Sequence, residues 1–354
     1  MGLGVFACGA RAANLPDNIR SATSVAPFMP QIQAYIEEKT KGVSGADAPA
    51  QSAARDDLIN PVMPGAPGVP STAFLAAYSG AVTGPLTALA ASKDPRVRLN
   101  TAVIVARVAE HSPNAALQPL ILKLLSDDSE ATRLWALKAA KAILPAAVSS
   151  GGPTLNQVVD AVVKIGKETT SGPVVQSVYD ALAIDDKTTG NKVLAVAVPA
   201  LHDVLAARIG RYQNEIPDEP LSEGVATIYL TSKSVWIAQS EAQRLATMQL
   251  MSDLIGVAAQ RTSGASNEQK LELIEMIRRA GKAIQVLALV MNKPAYSAAA
   301  QPAASLILTA TADQCLAAAK QVYGALSEMP ECKGKLTPFP TISTAATAAT
   351  TNAK

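Results

Sequence analysis

The chain has 354 residues, of which 49% are hydrophobic and 4% aromatic, and its formal net charge is +2. A composition rich in Ala and poor in aromatics favours helices, which excludes an aromatic-rich β-sandwich, and so much apolar content excludes a wholly disordered chain. The near balance of Lys+Arg (31) against Asp+Glu (29) excludes the broad basic field of a nucleic-acid-binding protein.

The first element is residues 1–13, MGLGVFACGARAA. Ala10-Arg11-Ala12 is an A-x-A of the kind signal peptidase accepts. The segment is short and lacks a positive start, so it reads as a truncated signal peptide. That predicts export to the periplasm or cell envelope; a frayed N-terminus on a cytoplasmic protein is the alternative. Residues 14–40 predict a helical segment broken at Pro27 and Pro30. Residues 41–70 carry Gly42, Gly45, Pro49, Pro61, Pro64, Gly65, Pro67, Gly68 and Pro70, and read as a Pro/Gly/Ala-rich linker.

From Ser71 onward the apolar spacing predicts helices over 71–91, 95–111, 114–126, 130–147, 154–168 and 173–184. Further helices are predicted over 192–213, 219–236, 241–261, 267–292, 297–309 and 311–327. Ser240-x-x-Gln243 and Ser266-x-x-Gln269 have capping-box spacing, where the Ser oxygen takes an orphan backbone N–H and the Gln reaches back. No stretch offers about 18 uninterrupted apolar residues, so no transmembrane segment is predicted. Residues 337–354 read as a disordered Thr/Ala tail.

Two helix starts repeat one another. Asp94-Pro95-Arg96-Val97-Arg98 opens one helix and Asp128-Ser129-Glu130-Ala131-Thr132-Arg133 opens another, with Arg98 and Arg133 35 residues apart. Each Arg is followed by apolar residues at +4, +7 and +11: Ala102, Val105 and Ala109, then Leu137, Ala140 and Leu144. At about 100° per residue these share one face with the Arg. A cation at a helix N-terminus opposes the macrodipole, typically by about 0.3–1 kcal/mol, so an acid partner is expected. Asp94 and Asp128 supply one, which predicts a ladder joining each Arg to a helix-start Asp of its own or the next unit. The alternative is an Arg whose stem covers apolar surface while its head reaches water.

The Asp-Pro-x-Val-Arg start and this spacing resemble HEAT and armadillo-type helical repeats, over roughly residues 93–185. The resemblance implies an all-α fold of stacked antiparallel helix pairs in a right-handed α-solenoid, and an extended surface that binds another macromolecule. A third unit fits less well: Gln176 stands where the Arg would be, and Asp180 occupies its +4 position. Residues 71–190 are therefore assigned to the repeat region, and 191–336 to divergent repeats or a separate bundle.

Chemistry-bearing motifs are absent from the sequence. It contains no H-E-x-x-H, P-loop, G-x-S-x-G or EF-hand loop, so no catalytic residue, metal ligand or cofactor is assigned. His111 falls at a helix C-terminus, and His202 and Asp203 are neighbours whose side chains diverge on a helix. Cys315 and Cys332 are the candidates for one disulfide if the compartment is oxidising; otherwise they are separate thiols. Trp135, Lys138 and Lys141 flank the apolar arc of their helix. Either they form an interface anchor, or the Trp packs on the adjacent repeat. These features predict a non-catalytic scaffold that binds a protein partner. A self-associating structural subunit and an α-toroid enzyme are the alternatives.

Overall fold

The structure, a computed structural model, describes residues 15–65, 68–150, 154–184, 191–217 and 221–342. Among them every regular element is helical and no strand is present. Residues 1–13, expected to be a truncated signal peptide, lie outside the described residues, and the export expectation with them.

The chain divides into two compact units, Met1–Ile143 and Leu144–Lys354. The boundary falls inside one helix, two residues before Pro145, which has no backbone N–H to donate. The first unit holds α1 (Asp17–Arg20), α2 (Met29–Val43), α3 (Ala48–Ile59), α4 (Thr72–Leu89), α5 (Pro95–His111), α6 (Gln118–Leu125) and most of α7 (Glu130–Ser150). Here α2 packs on α3 and α4, and α5 packs on α3, α4 and α6. The second unit continues with α8 (Thr154–Glu168), α9 (Gly172–Leu182), α10 (Asn191–Tyr212), α11 (Glu223–Thr231), α12 (Lys233–Ala238), α13 (Glu241–Arg261), α14 (Asn267–Val290), α15 (Pro294–Ala304) and α16 (Ala312–Ser327). In it α8 packs on α9 and α10, α13 on α10, α14 and α16, and α14 on α11 and α15. The packing thus runs between helices one to three positions apart in sequence.

The linker expected over 41–70 is corrected by α3. Asp47 caps that helix, its carboxylate accepting from Ala50 N at 2.9 Å, and Pro49 sits in the first turn, where no N–H is needed. Gly42 is a packing residue: a Cβ there would lie 2.7 Å from the Ala54 Cβ. Beyond α3 the chain is tied down by Arg20. Its guanidinium donates to Pro61 O at 3.0 Å and Met63 O at 3.1 Å, while Ser71 N donates to Arg20 O at 2.8 Å. Pro49 and Gly42, which look like breakers, mark a helix start and a close contact, whereas 63–65 and 68–71 are non-helical, with Gly65 and Gly68 at positive φ.

Two other differences concern single segments. The helix expected over 219–236 is broken at Ser232, whose backbone is extended and whose hydroxyl donates to Tyr229 O at 2.8 Å. Residues 337–342, expected to be disordered, lie against α13 and α16 instead; 343–354 fall outside the described residues.

One helix, α10, is long and apolar enough to cross a membrane by length and composition. It is also a core helix, burying Val193, Val198, Leu201, Val204 and Leu205 completely. It further encloses Arg208, which has no exposed surface and would be costly in lipid.

Candidate functional site

The 35-residue repeat is present in the packing of α5 and α7. Val97, Thr101, Ala102, Ile104, Val105, Val108 and Ala109 are buried on α5. Thr132, Ala136, Leu137, Ala139, Ala140, Ile143 and Leu144, the residues 35 positions on, are buried on α7. The two helices turn the same face inward, in the same register, as copies of one unit do.

The expected ladder is corrected: among the described residues it has one rung, and its acid is Asp127 rather than Asp94 or Asp128. The Arg98 guanidinium meets Asp127 with Nε to Oδ2 at 2.6 Å and Nη2 to Oδ1 at 3.4 Å. Asp127 also accepts from Ser129 N at 2.8 Å, so one carboxylate shapes the turn before α7 and pairs with α5. Asp94 caps α5 by accepting from Arg96 N at 2.8 Å, and Asp128 is exposed. Arg133 takes the place of Arg98 in the second copy; among the described residues it has no ion pair, and its buried Nε has no hydrogen-bond partner. Gln176, at the third start, donates to Asp180 Oδ1 at 3.1 Å within α9.

Trp135, Lys138 and Lys141 come together as expected from their helical spacing. They line a groove of about 430 Å³ with Ala106, Arg107, Glu110 and Ala142. Trp135 is half-buried. The Lys138 ammonium lies 4.1 Å from its ring centroid and the Arg107 guanidinium 5.6 Å. Cations near an indole face are each worth about 0.5–1 kcal/mol at exposed sites, so the two together help to hold the ring in place. Arg107 pairs with Glu110 at 2.8 Å. Among the described residues no ion pair engages Lys138 or Lys141, so the groove keeps an excess of positive charge. Arg107 and Glu110 escape a reading of α7 alone. They belong to α5, one and two turns beyond Val103, which is the counterpart of Lys138 in the 35-residue register.

The second unit contains a buried polar cluster. Arg208 and Glu223 are both fully buried, with Arg208 Nε 3.1 Å from Glu223 Oε1. The Tyr212 hydroxyl donates to the same Oε1 at 2.5 Å, and Arg208 Nη1 donates to Thr169 O at 2.8 Å. Burial, with the nearby Glu223 carboxylate, raises the pKa of both Tyr179 and Tyr212. These bonds join α10 and α11 to the turn between α8 and α9, while the Tyr179 hydroxyl and Glu223 Oε2 are buried without a hydrogen-bond partner among the described residues.

His202 and the cysteines are also structural in their surroundings. His202 Nε2 is 2.8 Å from Thr247 Oγ1, and that hydroxyl donates to Gln239 Oε1 at 2.9 Å. The Thr proton is thereby committed, so Nε2 carries the hydrogen and donates. Burial lowers the His202 pKa to about 4. The disulfide alternative is corrected: Cys315 and Cys332 are both buried free thiols. Burial raises both pKa values, that of Cys332 to about 11, so neither is a ready thiolate nucleophile. Among the described residues no group of three or more His, Cys, Asp or Glu side chains is placed to hold a metal ion.

No protein-family model matches the chain, and no curated protein matches it. Solved structures similar to it include two crystal structures of engineered proteins. One is 15% identical with a TM-score of 0.37, covering 82% of this chain and 95% of its own. The other is 14% identical with a TM-score of 0.42, covering 87% of each chain. Both scores are below 0.5.

Proposed function

We propose that this chain is a non-catalytic helical-repeat scaffold of the HEAT and armadillo kind, and that it grips an acidic segment of a protein partner in the Trp135 groove. The observation that carries this reading is the half-buried indole of Trp135 lining a groove with Lys138 and Arg107 close to its ring, Lys141 in the same lining and only Glu110 to balance the charge. An aromatic anchor beside two lysines that no ion pair engages among the described residues, with Arg107 balanced by Glu110, suits a peptide that brings carboxylates and one apolar side chain. Three cations are too few for the salt-dependent grip that a nucleic-acid backbone requires.

The test is a titration with a labelled peptide of glutamates around a single leucine. Binding to the intact chain is expected to weaken roughly tenfold or more in Trp135→Ala, and again in Lys138→Glu, the loss typical of an interface anchor. Helicity by circular dichroism should be unchanged. Equal binding by all three chains, or preferential binding of a single-stranded oligonucleotide, would remove the groove from the account.

A further inference from the structure

The last described segment, residues 337–342, sits on α13 and α16 as a bound peptide would. It reads Thr-Pro-Phe-Pro-Thr-Ile. Four of its main-chain atoms are held by three side chains. Thr337 N donates to Gln249 Oε1 at 2.8 Å, and the Tyr323 hydroxyl donates to Thr337 O at 3.1 Å. Gln260 does both jobs at once: its Nε2 donates to Pro340 O at 2.5 Å, and its Oε1 accepts from Ile342 N at 3.2 Å. Gln249 is itself set by donating to Asp253 Oδ1 at 2.8 Å.

The side chains of the segment alternate. Pro338 and Thr341 are exposed, Pro340 is buried, and Phe339 and Ile342 are half-buried. Phe339 meets Tyr323 edge-on, with centroids 5.6 Å apart and ring planes at 77°. Pro340 rests where α13 has no side chain: a Cβ on Gly256 would lie 2.5 Å from its Cγ. Main-chain clamps from side-chain amides, a shallow seat for a proline and an aromatic wall are the elements with which proteins hold extended proline-containing peptides. Clamps that address main-chain atoms place their demand on backbone shape, so a different chain with the same Pro-aromatic-Pro spacing meets the same donors and acceptors.

We propose that the α13–α16 face of the second unit is a binding groove for an extended Pro-aromatic-Pro segment of a partner protein, and that residues 337–342 occupy it in cis as a built-in competitor. The ligand chemistry is read from the occupant. A partner bearing the motif displaces the strap and takes its four main-chain hydrogen bonds. This groove is independent of the one at Trp135, and its success or failure leaves that reading untouched.

The experiment uses the full chain and a fluorescent peptide of the sequence Lys-Leu-Thr-Pro-Phe-Pro-Thr-Ile. The intact chain is expected to bind it weakly, because its own strap competes. A full-length variant with Phe339→Ala and Pro340→Ala frees the groove and is expected to bind at least tenfold more tightly. Adding Gln260→Ala to that variant abolishes the gain, and so does Gly256→Ala, which fills the proline seat and keeps the helix. Hydrogen exchange on the intact chain is the second measurement. Added peptide should accelerate exchange at Ile342 N–H and leave α13 protected. The proposal is overturned if the strap variant binds no better than the intact chain, or if binding ignores Gln260→Ala and Gly256→Ala. It is also overturned if the strap variant unfolds while peptide leaves Ile342 protection in the intact chain unchanged. Concentration-dependent dimers of the intact chain, dissolved by the peptide, would assign the groove to a second copy and overturn the partner.

Discussion

His202 shows how one side chain couples the fold to pH. Its neutral ring donates to Thr247 in a half-buried position, and burial holds its pKa near 4, below its ordinary value of 6.5. The folded state therefore binds this proton less readily than the unfolded chain does. Its contribution is complete above pH 6.5 and is lost as the pH falls toward 4. With the ring partly open to solvent, the total is on the order of 2 kcal/mol. Urea unfolding at pH 7 and pH 4.5 should show a smaller acid loss in His202→Gln than in the parent chain; equal losses would rule this out. Arg98 and Arg133 illustrate what residue spacing reveals. Their equivalent places on two helices were legible, because a 35-residue offset preserves helical phase. The acid that pairs was not legible: Asp127 and Asp128 are adjacent, and only the turn conformation decides which carboxylate faces back toward α5.

At the scale of elements, capped helices were the most legible. Both expected capping boxes formed, and α8 and α13 begin and end where the periodicity placed them. What failed was the reading of Gly and Pro as breakers over 42–62; 63–65 and 68–70 are non-helical as expected. A Pro in the first turn of a helix and a Gly at a helix crossing carry the same letters as a linker, and only the packing partner separates them. Gly281 makes the point testable. It lies inside α14, where Gly→Ala ordinarily stabilises by about 1 kcal/mol. Here a Cβ would sit 2.7 Å from Ala304 N and 3.0 Å from Ala303 C, on the backbone of α15. Gly281→Ala is therefore expected to destabilise the chain by about 2 kcal/mol in urea unfolding, since overpacking against main chain costs more than propensity returns. A raised midpoint would mean that α14 and α15 do not approach this closely.

At the scale of the molecule, the all-α class followed from composition, because Ala-rich, aromatic-poor chains have little with which to build sheets. The groove was half legible. Trp135, Lys138 and Lys141 share one helix, whereas Arg107 and Glu110 needed the neighbouring helix in register. The strap could not be foreseen, since Pro and Thr with few large apolar residues also describe an unstructured tail. Each compact unit has its own buried core, and the boundary falls beside Pro145. Calorimetry should resolve two unfolding transitions, with a van't Hoff enthalpy clearly below the calorimetric one; equal enthalpies in a single peak would show one cooperative unit.

The chain's two tryptophans fall one in each unit, and each has a cation over its ring: Lys138 and Arg107 at Trp135, Arg244 at Trp236, 5.6 Å from the centroid. The molecule thus carries its own optical label for each half. With either indole replaced by Phe, the emission of the other reports one half alone, with no dye attached.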